Sequence, residues 1–271
     1  MLRLTPPIAR VVLCEYRLDD PKRPADLSFP LPPPRQRHGW DAWSDLCDRI
    51  DRSLQVAGGV LREPWLEFDH PFAHPPGVFF RLDHRKGALA EGVGAARQQL
   101  IPQVEQPLYW PSSDDLDLGI SHCGFFPSRT DHQHGAIRLN LTGPDQWAWL
   151  TRQAPNLCRD TLAELLQAET FCWSATCDWG ADGIQRLGFE LFPVGRLQRG
   201  SAINDPLVQT LLQALEPWCS PETITECQRH HHNWRQQQSP SHQDGFSHLK
   251  LSPESDGTWS MKLYLLSHAP R

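Results

Sequence analysis

The chain has no apolar run approaching the roughly 18 residues that a membrane-crossing helix needs. Its first stretch, Met1 to Leu13, is broken by Pro6, Pro7 and Arg10 where a secretory leader would hold an uninterrupted apolar core. A soluble, cytoplasmic protein with no membrane partner is therefore expected. A basic excess is also missing. The net charge of −6 argues against nucleic-acid binding, because a phosphate backbone needs a positive face. Eight cysteines are present, but none forms a Cys-x-x-Cys pair, and Cys172 and Cys177 stand five apart on one predicted strand. Without an export signal they read as reduced, small apolar side chains.

Several chemistries lack their signatures. Ser128 and Ser174 have no nucleophile-elbow context, and Gly92-x-Gly94 has no strand–helix setting for a dinucleotide. Asp131-His132-Gln133-His134 and His230-His231-His232 have no further ligand at a convincing spacing, so no protein-held metal site is expected. His248 reads instead as a hydrogen-bonding group.

What the chain does contain is a repeat. Four times, two short runs of alternating apolar and polar residues follow an amphipathic helical pattern. The runs pair as Trp65–Asp69 with Val78–Asp83, Leu116–Ser121 with Ala136–Leu141, Phe171–Asp178 with Arg186–Phe192, and Phe246–Ser252 with Ser260–Leu266. Trp43, Leu46, Cys47, Ile50 and Leu54 form one apolar stripe along a helix from about Asp41 to Val56. Further helices are predicted at Leu89–Ile101, Asp145–Gln153 and Leu157–Ala168, and after Asp205-Pro206, an N-cap followed by a first-turn proline. Gln228 to Gln238 is polar all round and is open to a loop reading. A lone strand-like run, Ala9 to Leu18, has no evident partner, and Pro21 to Arg37 reads as a Pro-rich connector unable to hold a helix or a central strand. Nine strands are legible. No sharp shift in composition follows Trp40, so residues 1–271 are expected to form one domain.

Alternation assigns the faces. Leu66, Phe68, Val78, Phe80, Leu139, Leu187, Phe189, Leu249, Leu251, Leu263 and Leu265 belong to an apolar side that the helices must cover. Glu67, Arg81, Arg138, Arg186, Glu190, Lys250, Lys262 and Tyr264 belong to the other. Hairpins in series close into an α+β architecture, an antiparallel barrel of repeated α-β-β-α units with the helices outside, which removes exposed sheet edges. The polar face then lines a lumen. Two like charges about 4 Å apart repel by about 4 kcal/mol at an effective dielectric of about 20, so a lumen of cations calls for an anion. A diphosphate suits both Arg forks and Lys point charges.

The serial units, the outward apolar face and the inner Arg, Lys and Tyr residues resemble the ABBA, or PT-barrel, prenyltransferases. The length is nearest the cyanobactin-type, peptide-modifying branch. Lys250 and Met261-Lys262-Leu263-Tyr264 look like the closing strands of that ten-stranded barrel, and Trp65-Leu66-Glu67-Phe68-Asp69 looks like the strand that places an acid in the lumen. The resemblance implies that Arg81, Arg138, Lys250, Lys262 and Tyr264 bind the diphosphate of an allylic isoprenoid substrate. It makes Glu67 the first choice and Glu190 the second for general base, with a peptide or amino-acid side chain as acceptor. The resemblance also implies Mg²⁺, which is typical of the peptide branch and would act through the diphosphate with few protein ligands; the aspartate-rich motif of the all-helical prenyltransferases, which the family does not use, is not present. The competing reading is a non-catalytic αβ barrel or open sheet that binds an anionic ligand or a partner protein.

Overall fold

The structure is a computed structural model that describes residues 11–20, 22–37, 40–71, 74–83, 89–104, 118–128, 137–155, 171–180, 183–193, 206, 208, 209, 212, 221–236, 243–254 and 258–268. Ten strands form one closed barrel: β1 (Val11–Arg17), β2 (Asp26–Pro30), β3 (Leu61–Phe68), β4 (Gly77–Leu82), β5 (Gly119–Phe125), β6 (Ile137–Thr142), β7 (Phe171–Gly180), β8 (Gly183–Pro193), β9 (Gln243–Pro253) and β10 (Trp259–His268). Each strand pairs antiparallel with its chain neighbour, and β1 closes the ring against β10, with Glu15 opposite Tyr264 and Arg17 opposite Lys262. Among the described residues the main helices are α1 (Ser44–Val56), α2 (Leu89–Leu100), α3 (Gln146–Gln153) and α4 (Pro221–Gln236).

Two sequence expectations are corrected. The barrel has ten strands where nine were legible, and the missing one lies inside the 21–37 stretch expected to be a connector without a central strand. Proline is tolerated there because of where it falls. Pro24 and Pro32 lie outside β2, and Pro30 occupies its last residue, where the ladder ends. Between them Leu27 and Phe29 turn outward and Asp26 and Ser28 inward, and Phe29 stacks on Phe68 at 5.3 Å and 16°. The run Ala9–Leu18 does have partners, namely β2 and the distant β10.

Bulges move two other boundaries. β5 runs to Phe125, into the segment expected to be a loop, and a register shift between Ile120 and His122 puts Ile120 and Cys123 on the same outer face. On β9, Tyr264 pairs with His248 and Leu265 with Phe246, so Ser247 is the extra residue and both Ser247 and His248 reach the lumen. The polar segment after Gln228 is helical through Gln236. The expected Leu157–Ala168 helix and the His132 and His134 pair lie outside the described residues.

The hydrophobic core is a shell between sheet and helices. Phe80, Phe125, Leu139, Cys177, Phe189, Leu251 and Leu263 are fully or almost fully buried on the outer face, beneath Ile50 of α1, Val93 and Ala96 of α2, and Leu150 of α3. Val208 and Leu212, from the helix expected after Asp205-Pro206, join the same core. Arg49 of α1 ties the first two helices together. Its guanidinium donates to the Gln99 carbonyl at 3.0 Å and to the Leu100 carbonyl, which satisfies the end of α2. Among the described residues no helix is long and apolar enough to cross a membrane.

Candidate functional site

Inward-pointing residues from the strands enclose a cavity of about 740 Å³. Its walls are mixed. Trp65, Phe79, Phe192 and Tyr264 supply aromatic surface, while Glu67, Arg138, Asn140, Glu190, His248 and Lys250 supply polar and charged groups. Tyr264 stacks on His248 with ring centroids 4.1 Å apart and planes 12° apart, and His248 lies against Phe192 at 4.9 Å. This column of rings follows from the Ser247 bulge, which keeps His248 in step with Tyr264.

The structure brings Arg138, Lys250, Tyr264, Glu67 and Glu190 into this one cavity. Arg81 also lines it, but at the mouth, where its side chain is 60% exposed and meets Glu63 at 3.3 Å. Lys262, two residues before Tyr264 on the same face of β10, is absent from the cavity lining and forms an ion pair with Glu15.

The cations are not left facing one another. Arg138 holds Asp178, directly opposite on β7, through two bonds of 2.5 and 2.9 Å, and its guanidinium lies over the Phe126 ring at 4.8 Å. Burial works against that charge, but the field and hydrogen bonds of Asp178 outweigh it and raise the Arg138 pKa. Glu15 is buried, which by itself would raise its pKa. The Lys262 charge and hydrogen bonds from Lys262 and Tyr264 more than reverse this and lower it to about 2. The picture of an uncompensated ring of positive charge is therefore corrected, because inward acids from β1 and β7 neutralise two of the cations.

Lys250 differs. It is only 6% exposed, and no hydrogen bond or short ion pair holds its ammonium among the described residues. Burial and then the nearby Arg138 lower its pKa to about 8, against the pull of Glu190 and Asp178. Its stem crosses Gly188 on β8, where a Cβ would stand 2.6 Å from the lysine Cε. Glycine at that position lets the chain lie flat on the wall. Glu190 accepts from Asn140 Nδ2 at 3.2 Å and from Ser174 Oγ at 3.4 Å. Glu67 is half-buried and contributes negative potential at Arg138 and Tyr264.

Three residues that matter here were missed from sequence: Glu15, Asp178 and Gly188. Alternation did carry a signal for all three, since Glu15 lies between the apolar Cys14 and Tyr16, Asp178 follows the apolar Cys177, and Gly188 falls on the inner face between Leu187 and Phe189. Their cross-strand partners become visible only once the register is known. Among the described residues no group of three or more His, Cys, Asp or Glu side chains is arranged to hold a metal ion.

No protein-family model and no curated protein matches the sequence. Solved structures do match. PriB, in a binary complex with product diphosphate, superposes with a TM-score of 0.54 at 16% identity, covering 94% of this chain and 79% of PriB. AnaPT from Neosartorya fischeri superposes with a TM-score of 0.50 at 10% identity, covering 94% of this chain and 77% of AnaPT. At such identities the likeness speaks for architecture alone. Ten antiparallel strands closed around a polar lumen, with the helices outside, give this chain the PT-barrel fold.

Proposed function

We propose that this protein is a prenyltransferase that moves an isoprenyl group from an allylic diphosphate to a peptide or to an aromatic or other nucleophilic side chain. The observation that carries the reading is the barrel cavity, open at one mouth, in which Lys250 and Arg138 stand among aromatic walls. The likeness to PriB, whose structure holds product diphosphate, supports it.

The chemistry follows from charge. The C–O bond to the diphosphate breaks with both electrons leaving on oxygen, and preorganised cations lower that barrier. Lys250 supplies an ammonium with no short-range partner to surrender, and Arg138, its charge offset and its orientation held by Asp178, still presents the guanidinium nitrogen that Asp178 does not engage. Arg81, at the mouth, meets the anion as it enters. The allyl cation then faces Tyr264, Trp65 and Phe79, each ring contributing about 0.5–2 kcal/mol when desolvated. The walls exclude water that would quench it. The acceptor enters by the mouth, its electron pair forms the new bond to carbon, and the released proton passes to Glu67 or, second, to Glu190. Magnesium would arrive on the diphosphate as part of the substrate, since the acids beside Arg138 and Lys262 are already engaged in ion pairs.

Those same ion pairs favour a second reading, a non-catalytic barrel in which Lys250 binds an anionic ligand, because cations already offset by Asp178 and Glu15 give less stabilisation to the charge that develops on a leaving oxygen. One experiment separates the two. The protein is incubated with dimethylallyl or geranyl diphosphate, Mg²⁺ and candidate peptides, and the peptides are weighed by mass spectrometry. A gain of one prenyl unit, lost in Glu67→Gln, supports transfer. A thermal shift with a thio-analogue of the diphosphate but no adduct supports binding alone, and neither signal would discard both readings.

A further inference from the structure

We propose that Glu15 is a positioning residue that takes the hydroxyl proton of Tyr264 in a hydrogen bond and so makes the tyrosine an electron-rich wall for the allyl cation, not a donor to the diphosphate. The inference rests on the prenyl-transfer reading and deepens it.

The geometry is a three-residue cluster at the closing seam of the barrel. Glu15 on β1 and Tyr264 on β10 are direct partners in register. Lys262 Nζ meets one carboxylate oxygen of Glu15 and the Tyr264 hydroxyl meets the other. A carboxylate only accepts, and a phenol has a single proton to donate. With Glu15 ionised by Lys262 and the Tyr264 pKa raised by burial and by the Glu15 charge, the direction of the bond is fixed. Tyr264 therefore has no proton left for a phosphate oxygen.

The consequence lies in the ring. A phenol that donates to a buried carboxylate shifts electron density onto its oxygen and ring, which strengthens the attraction of a cation to the ring. Tyr264 is placed for that task, because it lines the cavity and the parallel stack on His248 fixes its plane. Glu15 itself is buried and does not line the cavity, so it reaches the reaction only through Tyr264. Lys262, expected to touch the diphosphate, becomes the counter-ion that keeps Glu15 charged.

The test uses the full chain. The protein has three tyrosines, so ¹³Cζ-tyrosine labelling gives few resonances, and Tyr264→Phe assigns the one that matters. The expected result is a Tyr264 signal shifted downfield in the wild type and returned toward the free-phenol position in Glu15→Gln. In the same variant kcat for prenyl transfer falls about tenfold, while affinity for a non-hydrolysable diphosphate analogue stays within about twofold, since a change near 1.4 kcal/mol at the transition state is a factor of ten. Glu15→Asp restores part of both signals. An unshifted Tyr264 resonance in the wild type, or a loss of analogue affinity in Glu15→Gln or Tyr264→Phe, would overturn the inference. Should Glu15→Gln not fold, Tyr264→Phe decides alone: slow turnover with intact analogue binding upholds it, and weakened binding overturns it. A wild type that shows the resonance shift but transfers no prenyl group would sink the prenyl-transfer reading and leave the hydrogen bond established.

Discussion

At the scale of single residues, Lys250 sets stability against binding. Its folded pKa, lowered to about 8 chiefly by burial, lies below the ordinary 10.5 of an unfolded lysine. The unfolded chain therefore holds this proton more tightly. Below about pH 8 the native state carries the whole cost of a buried charge, and stability should rise as pH climbs from 8 toward 10.5. The gap corresponds to roughly 3 kcal/mol. Lys250→Met should accordingly stabilise the ligand-free protein at pH 7 by about 2–3 kcal/mol and flatten that alkaline rise, as read by urea denaturation across pH. It should also weaken binding of a diphosphate analogue by roughly 10- to 100-fold, the loss of a charged hydrogen bond. A variant less stable than the wild type would mean that the ammonium is well paired after all. Gly188→Ala attacks the same group from beneath. The added methyl would meet the Lys250 stem and the Thr176 hydroxyl, both at 2.6 Å, so a destabilisation of about 1–3 kcal/mol is expected, together with weaker analogue binding. Glu15 titrates at the acid end with the opposite sign. Its pKa is depressed, so its contribution is complete above the ordinary 4.5 and fades as pH falls toward 2, and Glu15→Gln should remove that acid-side slope.

Among the elements, α1 and α2 show what local pattern carries and what it does not. The α1 stripe was legible because Leu46, Cys47 and Ile50 recur at helical spacing, and the structure buries them. Arg49, on the flank of that stripe, had no visible role. Its purpose depends on where α2 ends in space, since it donates to the Gln99 and Leu100 carbonyls. Arg49→Ala should lower stability by about 1–2 kcal/mol, the worth of a charge-assisted cap at a helix C-terminus, and leave analogue affinity unchanged. Chemical denaturation paired with calorimetric titration checks both. The strands divide in the same way. The β3, β4, β7, β8, β9 and β10 hairpin runs were readable because their partners are sequence neighbours. β2 was hidden by its prolines, although only the last of its five residues is one. The bulges after Ile120 and at Ser247 were hidden because a register shift follows from pairing and leaves no mark in local alternation.

For the whole molecule the decisive feature is the seam. Closure joins β1 to β10 over seven rungs, from Val11 opposite His268 to Arg17 opposite Lys262, across almost the full length of the chain. Such pairing is the least local contact in the protein, and loop-closure entropy must be met before it stabilises anything, so it is expected to form late and slowly. It was also the part of the candidate site that sequence could not supply. Arg138, Lys250, Glu67 and Glu190 could be assigned to one face by alternation, whereas the Glu15–Lys262–Tyr264 cluster exists only once the ring is shut. Deleting Val11–Arg17 tests whether closure or the remaining nine strands hold the lumen together. The deletion bares the edges of β2 and β10, removes the acid beneath Tyr264 and leaves Lys262 without its partner. Exposed edges recruit further strands, so the shortened chain should run as oligomers on size exclusion, lose its sharp thermal transition and show no midpoint shift with the diphosphate analogue. A monomer that still melts cooperatively and is still stabilised by the analogue would show that the cavity survives an open wall and that the Lys250 side of the barrel holds it together.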